Sequence, residues 1–237
     1  MKPEITPWQY PPSELVLKDG ELHLWRFGLD SSKPELDDLR GFLAADEIIR
    51  ADRLLDLQKK KQFIVARARL REILGHYQKV KPQEIKFQYN THGKPALSES
   101  LHSSVSFNLS HSGHWGTLAV VNEFAVGIDL EQIEAGMVFS QVADRYFNDD
   151  EKLQLAQYPP ARQRRGFYRL WTQKEAMLKA EGVGFQIKSS ADRYFKIKRW
   201  YLRSFPIASG FICSVATTGK IVSIQKFHFQ SNRVDAI

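Results

Sequence analysis

Lys174 stands where a helix should carry an apolar residue. Residues 167–179 read as an amphipathic helix: Phe167, Leu170, Trp171, Met177 and Leu178 fall on one stripe at helical spacing. Lys174 lies inside that stripe, with Glu175 and Lys179 one turn apart on its flank. An ammonium turned toward a core is costly unless an anion meets it, and its own helix offers no obvious acid. The spacing predicts a helix built to hold a negatively charged ligand; the plainer alternative is a stem that snorkels its head to water. Asp129 and Glu131 close the apolar run Phe124-Ala125-Val126-Gly127-Ile128. Being two apart on a strand, they share one face; alone they would read as a strand end meeting solvent. If the helix packs on that strand, Glu175 supplies a third carboxylate. Three carboxylates drawn together raise one another's pKa values unless a cation sits among them. Oxygen ligands without His or Cys suit Mg²⁺.

Other candidates are weaker singly. Phe107-Asn108-Leu109-Ser110-His111-Ser112-Gly113 runs from an alternating strand into a turn that can offer N–H groups, a hydroxyl and an imidazole to phosphate. Ser110 and His111 are adjacent, so on an extended segment they point to opposite faces, against a hydrolase triad. Asn90-Thr91-His92-Gly93-Lys94-Pro95 is a turn with a cationic tip. Arg50 and Arg53 sit three apart on a helix face. No P-loop, Rossmann glycine pattern or H-E-x-x-H occurs.

These residues need a scaffold, and the 237-residue chain is long enough for one large domain or two small ones. An apolar fraction of 43% marks it as globular. Cys213 is the sole cysteine, so no internal disulfide forms, and the cytoplasm is the expected compartment. No run reaches membrane-spanning length. Residues 1–124 carry 17 basic and 16 acidic side chains, whereas residues 125–237 carry 17 and 11. The surplus clusters at Arg162, Arg164, Arg165 and Arg169, and again at Lys196, Lys198, Arg199 and Arg203. Each cluster reads as a solvated surface or as a docking face for an acidic partner.

A shift of 104 residues superposes three pieces: residues 21–27 on 125–131, Asp46-Glu47 on Asp150-Glu151, and residues 58–63 on 162–167. Each half reads as a strand, a helical stretch, a long helix, then strands. The later strands are expected at 84–89, 105–109 and 117–122, and at 193–202, 209–216 and 221–227. The expected fold is therefore α+β: a pseudo-twofold tandem of two similar halves, 1–124 and 125–237, with a ligand cleft between them. Under this shift Trp25, Phe27, Leu70 and Arg71 give way to Asp129, Glu131, Lys174 and Glu175. Divergence concentrated on charge suggests chemistry in the second half.

In order and spacing the chain resembles the Sfp-type 4′-phosphopantetheinyl transferases. The resemblance rests on Gly93-Lys94-Pro95, Asn108-Leu109-Ser110-His111-Ser112, Gly127-Ile128-Asp129-Leu130-Glu131 and Trp171-Thr172-Gln173-Lys174-Glu175-Ala176-Met177-Leu178-Lys179. It implies transfer of the phosphopantetheine arm of coenzyme A to a serine of an apo carrier protein, with Mg²⁺ and release of 3′,5′-ADP, an activity of the holo-[acyl-carrier-protein] synthase type. It implies Asp129, Glu131 and Glu175 as metal ligands. It also implies Glu175, Lys179 and His111 as the catalytic groups. Arg50, Arg53, Lys94, Pro95, Ser110, His111, Lys174 and Lys179 are the implied coenzyme A contacts. The second half would dock the acidic carrier, and duplication within one chain favours a monomer. Three rival readings are a basic nucleic-acid-binding module, which gives the three acids no role, a non-catalytic coenzyme A binder, and a different Mg²⁺-dependent phosphotransferase using the same site. The resemblance favours an enzyme whose partners include neither nucleic acid nor membrane.

Overall fold

The computed structural model describes residues 4–183 and 200–229. The first half runs β1 (Glu4–Gln9), β2 (Glu21–Gly28), α1 (Lys33–Arg40), α2 (Ala45–Asp52), α3 (Leu57–Gln78), β3 (Phe87–Tyr89), β4 (Pro95–Leu97), β5 (Val105–Ser112) and β6 (Trp115–Asn122). The second runs β7 (Val126–Gln132), α4 (Phe139–Tyr146), α5 (Asp149–Ala156), α6 (Pro160–Glu181), β8 (Tyr201–Phe205), β9 (Phe211–Thr217) and β10 (Ser223–His228).

The expected duplication appears in the sheets. β2, β6 and β5 lie side by side and antiparallel; β7, β9 and β8 repeat that order and sense. The long helices α3 and α6 are both 22 residues. Asp56 caps α3 by accepting from the N–H groups of Gln58 and Lys59, while α6 starts on Pro160. Both helices end on a left-handed residue, Lys79 and Gly182.

Strand alternation sorts the layers. On β2, Trp25 and Phe27 face α3, with Phe107, Leu118, Val120, Leu70 and Leu74. Leu22 and Leu24 face the other way, against Val126, Ile128, Leu130, Phe205 and Val215 of the second sheet. The layers therefore run α3, first sheet, second sheet, α6. On β7 the even positions fill the core between sheets, so Gly127, Asp129 and Glu131 face α6.

Two expectations need correction. Strand β10 does not complete the second sheet. It inserts between β1 and β2 and pairs parallel with both. Division at residue 124 thus fails to follow the sheets, because Ser223–His228 returns to the first. Parallel pairing needs a long crossover, so strand adjacency in sequence gives no hint of it. The uniform shift also fails. α2 and α5 begin 104 residues apart, at Ala45 and Asp149, but α3 and α6 begin at Leu57 and Pro160, a shift of 103. Lys174 accordingly takes the place of Arg71, and Glu175 that of Glu72. Of the expected strand 193–202, residues 193–199 lie outside the described residues, and with them Lys196, Lys198 and Arg199.

Candidate active site

Gly127 decides how near α6 comes to β7. A Cβ there would overlap the carbonyl oxygen of Ala176 and the amide of Ala180. Only a bare Cα lets the helix backbone press on the strand. That contact carries Glu175 and Lys179 up to Asp129 and Glu131, two and four residues further along the same strand face.

The opposite wall is β5. Its side chains Asn108, Ser110 and Ser112 point at β7 and accept the backbone N–H groups of Ile128 (2.8 Å), Leu130 (3.2 Å) and Gln132 (3.0 Å). The sheets are thus joined by a ladder of side chains in place of backbone pairing. Two rungs go further. Ser110 Oγ donates to Asp129 Oδ1 at 3.3 Å and Ser112 Oγ to Glu131 Oε2 at 3.1 Å.

Lys179 Nζ donates to Asp129 Oδ1 at 2.7 Å and to Ser110 Oγ at 3.0 Å. Asp129 is buried, and its second oxygen, Oδ2, has no hydrogen-bond partner among the described residues. Burial raises its pKa against the pull of Lys179. Burial and then the Asp129 charge push Glu131 up to about 7, opposed by bonds from Ser112 and the Trp171 side chain. Burial, Asp129 and Glu131 likewise push Glu175 up to about 7, opposed by Lys179 and Lys174. Three mutually repelling acids with one close ammonium form an under-neutralised site. Among the described residues, no three acidic, His or Cys side chains are already gathered as a metal cage. The donors fit a hard dication all the same: all are carboxylates, one with an orphaned buried oxygen.

Beside this cluster a groove of about 310 Å³ opens between the halves, with Lys94, Pro95, Asn108, Glu175 and Lys179 among its walls. This is the expected cleft. His111 lies on the exposed side of β5. Desolvation and then the charge of Lys179 lower its pKa.

The other predicted residues divide. Lys174 does meet an acid, but it is the protein's own: Nζ donates to Glu151 Oε2 at 2.8 Å, both ends largely covered. Glu151 also caps α5 by accepting from the N–H of Asn148. The inward lysine is a strut between α5 and α6, and the sequence missed its mate because that mate is on another helix. Lys94 turns its head inward and donates to the carbonyls of Val126 and Ala180, each at 3.0 Å. Burial lowers its pKa to about 8. Asn90 donates to the Gly182 carbonyl, so the whole 90–94 turn is clamped to the end of α6. Arg50 lies over the Phe63 ring and Arg53 ends α2; both are exposed and neither lines the groove. Of the basic cluster on α6, Arg164 is tied to the carbonyls of Glu134 and Met137, whereas Arg162, Arg165 and Arg169 stay exposed. Sequence reasoning passed over Ser112 and the polar role of Trp171. The period-two run Asn108-x-Ser110-x-Ser112 on an alternating strand was the available signal.

Family comparison agrees with this geometry. Residues 125–216 match the model of the 4′-phosphopantetheinyl transferase superfamily, and residues 30–123 that of the 4′-phosphopantetheinyl transferase N-terminal region. The chain is 39% identical over 178 residues to the 4′-phosphopantetheinyl transferase HetI of Nostoc sp., covering 75% of each chain. It is 30% identical to the 4′-phosphopantetheinyl transferase psf-1 of Bacillus pumilus, over 65% of this chain and 64% of that one. Against the 4′-phosphopantetheinyl transferase Sfp of Bacillus subtilis identity is 24%, over 66% of this chain and 67% of the other. With both halves matched in order by the family models, and a relative of that name 39% identical over 75% of the chain, the chain belongs to the 4′-phosphopantetheinyl transferase family.

Proposed function

We propose that this protein transfers the 4′-phosphopantetheine arm of coenzyme A to a serine of an apo carrier protein. The observation that carries the reading is the under-neutralised trio of Asp129, Glu131 and Glu175 beside Lys179 at the groove between the halves. The serine oxygen attacks the phosphorus that bears the pantetheine arm. The bond from that phosphorus to the bridging oxygen breaks, and 3′,5′-ADP leaves with the electron pair. Glu175, which lines the groove beside Lys179, takes the serine proton, directly or through a water held at the metal site. Lys179 neutralises charge growing on the leaving phosphate. The Lys94–Pro95 turn lines the groove, and Ser110 and His111 beside it are assigned to the phosphates of the donor.

Asp129, Glu131 and Glu175 would hold Mg²⁺, which supplies charge neutralisation at the diphosphate. Arg50 and Arg53 are assigned to the more distant 3′-phosphate. Exposed Arg162, Arg165 and Arg169 are assigned to an acidic carrier surface, which makes encounter sensitive to salt. The proposed setting is the cytoplasm and the proposed active form a monomer.

The test is direct. Protein, coenzyme A, Mg²⁺ and an apo carrier are mixed and the carrier is weighed. A gain of about 340 Da, one phosphopantetheine arm, is expected. No gain with acyl, polyketide and peptidyl carriers alike would defeat the reading.

A further inference from the structure

Among the described residues Lys179 forms its ion pair with Asp129, and Glu131 has no ion pair. Its orientation rests on two neutral donors, Ser112 Oγ and the Trp171 side chain. Trp171 packs against Phe167 and Tyr146, so its ring direction is fixed by an aromatic cluster. Ser112 is fixed differently. Its oxygen accepts the N–H of Gln132 at 3.0 Å, which leaves the single hydroxyl proton to point at Glu131 Oε2. The backbone of β7 therefore aims the hydroxyl, and the hydroxyl aims the carboxylate one residue earlier.

Ser112 also sits where the first half ends its contribution. It is the last residue of β5, and the Gly113 that follows has a left-handed φ and accepts from Gln62 of α3 through its carbonyl. A Cβ at Gly113 would overlap the Gln132 side chain. The turn is pinned on both sides, so the Ser112 oxygen has little freedom to drift.

We propose that Ser112 is a positioning residue for the transfer reaction: the first half reaches across the seam and sets the direction in which Glu131 presents its carboxylate to the metal. This rests on the function proposed above. Hydroxyl-bearing neighbours of ligating carboxylates commonly carry such a role, and losing one costs about 10- to 100-fold in metal affinity or activity. The metal contact itself belongs to Glu131; Ser112 acts through it.

The experiment uses the full chain, Mn²⁺ as probe, and Ser112→Ala beside Ser112→Thr. Mn²⁺ binding is followed by electron paramagnetic resonance without carrier, and kcat and the KM for coenzyme A are measured separately. Expected for Ser112→Ala is Mn²⁺ affinity lower by about tenfold or more, kcat reduced to match, and a KM for coenzyme A within about twofold of wild type. Ser112→Thr, which keeps the hydroxyl, should restore both. The inference is overturned if Ser112→Ala binds Mn²⁺ like wild type, or if Ser112→Thr is as impaired as Ser112→Ala. Wild-type protein that binds Mn²⁺ but never loads a carrier would sink the proposed function and leave the Mn²⁺ comparison to judge Ser112 on its own.

Discussion

The two halves share a three-stranded core and a long helix, and use buried acid in opposite ways. In the first, Glu47 is fully covered and met by two arginines, Arg67 and Arg71, the latter at 2.6 Å from its Nε. Arg71 completes its bonding on the carbonyls of Pro82 and Ile85, and Arg67 on the Tyr89 hydroxyl. Glu47 also caps α2 through the Ala44 N–H. The second half keeps a lighter copy, with Glu151 capping α5 and meeting, among the described residues, the single cation Lys174. Elsewhere the second half departs. Trp25 and Phe27 are core in the first half, whereas the equivalent Asp129 and Glu131 face α6 beside Glu175. One half spends its buried charge on cohesion. The other leaves charge unbalanced, which costs stability and creates a demand for a cation.

The largest effect should come from removing that imbalance. Asp129→Asn or Glu175→Gln should lower carrier loading by about 10²-fold or more. Because each change relieves repulsion, the melting temperature of the metal-free protein should hold or rise. A variant that loses activity together with its fold would mean these acids serve structure, as Glu47 does.

Breaking the ion pairs themselves should rank the halves the other way. Glu47→Gln strands two buried guanidinium groups and should cost about 3–5 kcal/mol in denaturant unfolding. Lys174→Met strands only Glu151, which retains its Asn148 cap, and should cost about 1–3 kcal/mol. Lys174→Met should leave the KM for coenzyme A unchanged, since the lysine is occupied by Glu151. A weakened KM with full stability would return Lys174 to the ligand and cancel the parallel with Arg71.

How far these contrasts could be read from sequence depends on the range of the interactions. Strand alternation correctly put Asp129 and Glu131 on one face, and helical spacing put Glu175 and Lys179 where they could meet it. The short motif Gly127-x-Asp129-x-Glu131 already encodes the close approach, because the glycine and the acids share that face. Periodicity gives a direction but no partner. Lys174 was rightly turned inward, yet Glu151 lies 23 residues away on another helix. Lys94 lines the cleft, yet its head follows carbonyls of β7 and α6 that no local pattern reveals. β10 pairs with β2 across some 200 residues, which only the assembled sheets can specify. The shift between repeats was legible for β7 and slipped by one on α6, since one residue fewer separates α5 from α6 than α2 from α3.

The smallest expected effect tests the same imbalance through protons. Glu131 and Glu175 have pKa values of about 7 in the folded chain, above the ordinary 4.5. The folded state therefore binds more protons than the unfolded one between about pH 4.5 and pH 7, so these acids lower stability as pH rises through that window. Histidines 23, 111 and 228 work against this. Desolvation lowers each below 6.5, helped by Lys179 at His111 and by Arg26 at His228, so they withdraw stability as pH falls. A single stability curve would mix the two signs, and the informative quantity is a difference. Wild type and the Glu131→Gln, Glu175→Gln double variant share all three histidines. Their melting temperatures should nearly coincide, apart from a constant offset, below pH 4.5. The variant should then gain on wild type up to about pH 7, by on the order of 5 °C, and hold that lead above. Adding Mg²⁺ at pH 7.5 should raise wild type alone and close the gap. A gap that stays flat with pH would mean that neither burial nor the neighbouring acids raise these two carboxyls. The second half would then be no more strained than the first.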